Sequence, residues 1–322
     1  MAKRDERIKG FIYALAAILV LGCPPFQGID TRFQYRNRVR WAGAWDNPNT
    51  FGLLAGVGIV LFYGLIIDNV RLGVRYKDRW QICIRMFCMT ILGMGLFNSL
   101  SRGAWIATFS AIFYLSWPEC LSHVRIRYLL CRGGWTIVGS TLVAAIVLCS
   151  CFVHRVSWTV MHRGLSVANQ NDFSWRNRIG AWEGLLQITA ESPWLGKGWI
   201  VPESLYCNYY LSPRINDGAA VQMNDYLLLA AAFGVPGFFC FAAYFWSSFR
   251  IVSQKKSDRC GPSNFLRRIC HAASVVLLIG FWFDGGLLVL ETSAVFWVLF
   301  ELGNTFYTKQ ASISTTTDGN CT

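Results

Sequence analysis

The 322-residue chain is 54% hydrophobic and 15% aromatic, carries only 15% charged residues, and has a formal net charge of +12. A soluble domain carries about a quarter charged residues, and apolar runs this long would need burial all round, which argues against a single water-soluble core. The surplus Lys and Arg lie in short runs between apolar stretches, the distribution expected of loops on the cytoplasmic side of a membrane, and no basic soluble-looking domain is present to bind nucleic acid.

In chain order, the apolar stretches predict eight spans near 11–26, 51–67, 82–98, 104–117, 135–153, 225–249, 271–283 and 287–306. The first, fourth and seventh are short and would thin the bilayer, tilt less or borrow flanking residues. The stretch 3–23 reads either as a signal peptide or as a first spanning helix; Asp5 and Glu6 within its basic region favour the helix. Most cations fall at 3–9, 71–79, 125–132 and 250–268, so these segments are placed inside, with both termini cytoplasmic. The expected fold class is therefore an all-α polytopic membrane protein with about eight transmembrane helices. It forms a single transmembrane domain over 1–309, with a long periplasmic loop at 154–223 containing short helices. A Ser/Thr-rich tail at 310–322 is expected to be disordered.

Cysteine arithmetic adds little. Six of the 12 cysteines, Cys83, Cys88, Cys149, Cys151, Cys240 and Cys270, lie in apolar runs, where Cys acts as a small hydrophobe, and no CxxC pair suggests a zinc or redox site. Cys23 and Cys207 both fall outside, leaving a disulfide between them open.

Two outside regions break the charge rule. Arg32, Arg36, Arg38 and Arg40 crowd ahead of the second span, and Arg155, Arg163, Arg176, Arg178 and Arg214 lie in the long loop. Membrane insertion does not call for arginines there. Their planar forks match phosphate oxygens bidentately, so an anionic ligand is one reading and solvated loop charge the other.

Four motifs stand out. Arg40-Trp-Ala-Gly43-Ala-Trp-Asp-Asn47-Pro48-Asn49 opens the second span, with Asn49 or Thr50 the expected helix cap. Ser99-Leu-Ser101-Arg102-Gly103-Ala104-Trp105 joins the third span to the fourth; an arginine at the end of an apolar run is costly unless partnered. Arg178-Ile-Gly-Ala-Trp182 sets Arg178 and Trp182 on one helical face, and Glu191-Ser-Pro193-Trp-Leu-Gly196-Lys-Gly198 follows as a turn. Asn224-Asp225-Tyr226-Leu227 then precedes Phe233-Gly234-Val-Pro236-Gly237 at the sixth span.

Together, in this order, the motifs resemble the O-antigen ligase and polymerase superfamily of bacterial envelope glycosyltransferases. The resemblance implies a metal-independent inner-membrane enzyme that needs no cofactor. Its donor would be a polyprenyl-diphosphate-linked glycan, its acceptor a hydroxyl of lipid A core or of a growing polysaccharide, and its surroundings membrane lipids, with no nucleic acid. Arg102 and Arg178 are the implied catalytic cations, with Arg40 beside them and Arg36, Arg38 and Arg176 behind. Asn47, Asn49, Ser101, Trp182, Asn224 and Tyr226 complete the implied substrate site.

The chain departs from the pattern in two places. Family members commonly carry His before the Asn of the fourth motif; here that position is Met223, which cannot exchange a proton. Either Asp225 or Glu183 takes over as base, or His154 or His162 reaches the site, or the protein is a non-catalytic relative. The chain also supports fewer spans than family members commonly have. A transporter or flippase of lipid-linked glycans is the alternative from another class.

Overall fold

The computed structural model describes residues 2–27, 32–35, 38–45, 47–71, 79–120, 173–198, 224–254 and 262–317. Within these lie α1 (Ala2–Leu21), the single turn α2 (Pro24–Gln27), strands β1 (Arg32–Tyr35) and β2 (Arg38–Trp41), α3 (Pro48–Arg71), α4 (Arg79–Asn98) and α5 (Arg102–Cys120). They are followed by α6 (Phe173–Glu191), α7 (Asp225–Gln254), α8 (Pro262–Phe283) and α9 (Leu290–Thr317). Each expected apolar segment falls on helix except 135–153, which lies outside the described residues. A helix satisfies its backbone groups internally, which is what a lipid surrounding requires. By length and composition, four of the described helices can cross a membrane: Pro48–Asn69, Trp80–Asn98, Asp225–Arg250 and Phe265–Phe283.

The central helix is α3, packed against α1, α4, α5 and α8. Phe51, Leu53, Leu54, Val57, Leu61 and Leu65 are all buried, so α3 hides every face, as expected of an apolar helix at the middle of a bundle. Around it α9 packs on α8, where Phe296 and Phe300 stack at 5.6 Å and Phe300 also stacks on His271 at 5.8 Å. A smaller core joins α6 to the start of α7, with Ala181, Leu185 and Ile188 against Leu228 and Ala231. At one end of the bundle Lys9 pairs with Asp68 at 2.6 Å, tying α1 to α3. Arg85 is buried nearby on α4, where it donates to the Leu65 carbonyl at 3.0 Å and to the Tyr13 hydroxyl.

Two expectations change. The fold is mostly helical but not all-α, because 32–41 contributes an antiparallel ribbon with Phe33 opposite Arg40 and Tyr35 opposite Arg38. Alternating aromatic, β-branched and polar residues suit a strand better than a helix. The seventh segment is longer than 271–283, since α8 begins at Pro262. Its arginines masked it in sequence; Arg268 is accommodated by donating to the Leu115 carbonyl at 2.8 Å and lying over the Phe265 ring. Helix α9 runs to Thr317. Among the described residues Cys23 is a free, buried thiol, and Cys207 lies outside them.

Candidate functional site

Three of the four motifs open helices, and these openings meet at one end of the bundle. The first opens α3. Asn47, not Asn49 or Thr50, is the cap: its Oδ1 accepts from the Asn49 backbone N–H at 2.8 Å. Pro48 follows at the first helical position, where its missing N–H costs nothing. Capping by Asn47 leaves the side chain of Asn49 available for other bonds. Its Oδ1 accepts from Arg40 Nη2 at 2.6 Å, and its Nδ2 donates to Asp284 Oδ1 at 3.1 Å. Arg40, held on β2, also donates from Nε to the Ser99 carbonyl at 2.7 Å. The ribbon thus exists to deliver a guanidinium to the tops of α3 and α4.

The second motif is a tight turn between α4 and α5. Leu100 adopts φ 53, a left-handed conformation that costs a non-glycine residue on the order of 1–3 kcal/mol and tends to mark functional sites. Ser99 Oγ donates to the Leu96 carbonyl at 2.7 Å, and the Trp105 indole donates to the same carbonyl at 2.9 Å. Buried Ser101 caps α5, accepting from the Ala104 N–H at 3.4 Å. Arg102, partly buried, is the first residue of α5. Gly103 lies against the α8–α9 turn: a Cβ there would stand 2.9 Å from Phe283 Cβ and 3.3 Å from Asp284 Oδ2.

The third motif supplies Arg178 from α6. Its Nη2 pairs with Asp284 Oδ1 at 2.8 Å and its Nε donates to the Phe283 carbonyl at 2.9 Å. Both side chains are largely buried, at 12% and 10% exposure, so removing one partner would strand the other. Trp182, one turn on, meets Trp282 at 6.0 Å between ring centres, and Trp282 meets Tyr226 at 5.9 Å.

The fourth motif opens α7. Asn224 is fully buried, and its Oδ1 caps the helix by accepting from Tyr226 N at 3.0 Å and Leu227 N at 3.1 Å. Asp225 reaches across to the α8–α9 turn, where its Oδ2 accepts from the backbone N–H of Gly286 and of Leu287, each at 2.7 Å. The Tyr226 hydroxyl donates to the Leu278 carbonyl at 2.6 Å. Asp225 Oδ1 and Asp284 Oδ2 are buried and carry no hydrogen bond among the described residues.

The second halves of the third and fourth motifs lock together. Gly234 breaks α7 with φ 75 and ψ 173. Val235 N turns away from the helix to the Pro193 carbonyl at 2.7 Å, and Pro236 has no N–H. In a regular helix these two positions would serve the carbonyls of Ala231 and Ala232. Those carbonyls instead accept from Lys197 N at 2.9 Å and Gly198 N at 3.0 Å. The Pro193–Gly198 turn therefore replaces the bonds that the α7 break removes. A Cβ on Gly234 would run into the Trp194 carbonyl, which accounts for glycine there on spatial as well as conformational grounds.

Not every expected residue joins this constellation. Glu183 is exposed and faces away from the packed side of α6 formed by Ala181 and Leu185. Arg36 lies outside the described residues, as do Met223, His154, His162 and Cys207, and the side chains of Arg38 and Arg176 are not described. Asp284 was not read as a site residue from sequence. A carboxylate at the end of an apolar run, followed by Gly285-Gly286, was the available signal, since such a charge needs a partner.

The site can receive an anion. The N-termini of α3, α5 and α7, which carry partial positive charge, converge on the Asp284 turn. Arg40, Arg102 and Arg178 outnumber the carboxylates Asp225 and Asp284. Backbone donors and guanidiniums in such a setting suit phosphate oxygens.

No curated protein matches the chain. Residues 87–242 match the family model described as O-Antigen ligase, a stretch running from α4 into α7 and containing the second, third and fourth motifs. Helices long enough to cross a membrane, motifs assembled on one polar cluster and this match point the same way: the chain is a membrane protein whose residues 87–242 are similar to the O-antigen ligase family.

Proposed function

We propose that the protein transfers a glycan from a polyprenyl-diphosphate carrier to an acceptor hydroxyl, on lipid A core or a growing polysaccharide, at the periplasmic face of the inner membrane. The observation that carries this reading is the chain Arg40–Asn49–Asp284–Arg178, which gathers cations from two distant motifs where three helix N-termini meet. In this reaction the bond from the anomeric carbon to the diphosphate oxygen breaks, and a bond from that carbon to the acceptor oxygen forms. Negative charge grows on the departing diphosphate. Arg40, Arg102 and Arg178 stabilise that charge, and because Asn49 and Asp284 fix two of them beforehand, little reorganisation is needed as the bond breaks. The acceptor proton needs a base, and Asp225 keeps one oxygen without a hydrogen bond among the described residues while the other grips the α8–α9 turn. Glu183, exposed on the outer side of α6, is the weaker candidate.

The test is reconstitution in vesicles with a polyprenyl-diphosphate oligosaccharide and an acceptor glycolipid. Product from the native chain, with loss in both Arg40→Ala and Arg178→Ala, supports the transferase. Undiminished product in both variants overturns it. Methionine at position 223 favours a second reading, a relative that binds the lipid-linked glycan without transferring it. In that case the native chain binds the diphosphate carrier and yields no product. Sidedness is checked separately. Cys207 in an otherwise Cys-free background should react with a membrane-impermeant thiol reagent from the periplasmic side, and protection until the inner membrane is lysed would refute the periplasmic assignment.

A further inference from the structure

The Pro193–Gly198 turn presents two of the three most exposed large apolar side chains among the described residues: Trp194 is 77% exposed and Leu195 88%. A flexible loop could hide such residues by folding back. This one is held by three backbone hydrogen bonds to the break in α7, through Pro193 O, Lys197 N and Gly198 N. Its tip is therefore presented outward by the fold.

The surface around the tip says what it faces. The Trp194 backbone abuts Gly234, so the tip adjoins exposed Phe233 and Val235. From Val235 the apolar surface continues at helical spacing through Phe239 and Trp246, both exposed, along one side of α7. That helix is apolar enough over Asp225–Arg250 to cross a membrane, so its exposed apolar side is a lipid-facing side. The turn thus extends a lipid-facing surface. Within the same turn region Glu191 and Lys197 pair at 3.1 Å while still partly exposed, so an ion pair accompanies the exposed indole and isobutyl groups. A Trp with an apolar neighbour next to charge is the composition of a segment at the boundary between headgroups and acyl chains.

We propose that the Pro193–Gly198 turn is a bilayer anchor, with Trp194 and Leu195 seated in the headgroup–acyl boundary beside α7. The partner is membrane lipid. The anchor holds the far end of α6, whose near end carries Arg178 on Asp284, so the helix is fastened at both ends. This inference needs only that α7 crosses the membrane, and it stands or falls independently of the transfer reaction.

The experiment places a nitroxide at position 195, at exposed Gln187 on α6 and at Phe239 on α7, in full-length chain with its other cysteines replaced. The protein is reconstituted in phosphatidylethanolamine–phosphatidylglycerol vesicles, and relaxation by oxygen and by a water-soluble nickel chelate is compared. The expected result is an oxygen-to-nickel ratio at 195 several-fold above that at 187 and approaching that at 239. A ratio at 195 equal to that at 187 would mean an aqueous loop and overturn the anchor. Low access to both reagents would mean a protein-covered site, a second copy or another subunit, and would overturn it equally. If the labelled chains misfold, native protein and Trp194→Phe are compared in vesicles of brominated lipid. A smaller quenched fraction in the variant supports the anchor, and identical quenching refutes it.

Discussion

The two ends of the bundle use the same side-chain types in opposite ways. At the end formed by Lys9, Asp68 and Arg85, each cation is closed off by neighbours on α1, α3 and α4. The Leu65 carbonyl, the Tyr13 hydroxyl and Gln81 Oε1 absorb the fork of Arg85, and the result is a knot between three adjacent helices. At the other end Arg40 comes from a ribbon and Arg178 from α6, and both are tied into the Asn49–Asp284 bridge beside the helix openings. A buried arginine is therefore no sign of function by itself. What separates the two ends is the convergence of helix N-termini, a left-handed Leu100 and carboxylate oxygens without hydrogen bonds among the described residues.

Substitutions can break this contrast. The largest effect is expected at Arg178→Ala, which removes the cation proposed to stabilise the departing diphosphate and strands Asp284. Glycan transfer in vesicles should fall about 100- to 1,000-fold, and an unchanged rate would reduce the site end to a second structural knot. Gly234→Ala should be next. A methyl group at a positive φ, directed at the Trp194 carbonyl, should lower stability by about 2–3 kcal/mol, read as a shift in the denaturant midpoint in detergent. Arg85→Met sharpens the comparison from the other side. It should cost roughly 1–3 kcal/mol of stability by leaving buried acceptors unpaired, while transfer per folded molecule stays at the native level. A loss of transfer at native stability would show that the two ends are coupled. The smallest effects should distinguish the two asparagines of the first motif. Asn47→Ala removes a helix cap and should cost about 1 kcal/mol of stability. Asn49→Ala breaks the bridge from Arg40 to Asp284 and should instead lower transfer by about tenfold, the equivalent of one net hydrogen bond. Matching profiles for the two variants would contradict the division of labour between cap and bridge.

Much of the helical plan was legible, because a run of apolar residues long enough to span lipid leaves few alternatives to a helix. Arg40, Arg178 and Asn49 were legible as candidates because polar groups at the ends of apolar runs need partners. Their partner was not. Asp284 lies far along the chain from Asn49 and Arg178, and no local period or spacing connects them. The ribbon at 32–41 was missed since a short strand pair gives a far weaker signal than a span. Asn47 displaced Asn49 as the cap because Pro48 takes the first helical position, a choice that depends on where the helix begins.

Sequence by itself determined that the chain is a membrane protein, where most of its described helices run and which motifs merit attention, because hydropathy and local spacing are properties of neighbouring residues. Only the tertiary structure decided that Asn49 bridges two arginine-bearing regions through Asp284, that Asp225 holds the α8–α9 turn, and that one turn of the third motif restores the hydrogen bonds broken in the fourth. Those are contacts between segments far apart in the chain, and the hydrogen-bonding needs of buried polar groups, which select the partners, can be satisfied only once the helices have packed.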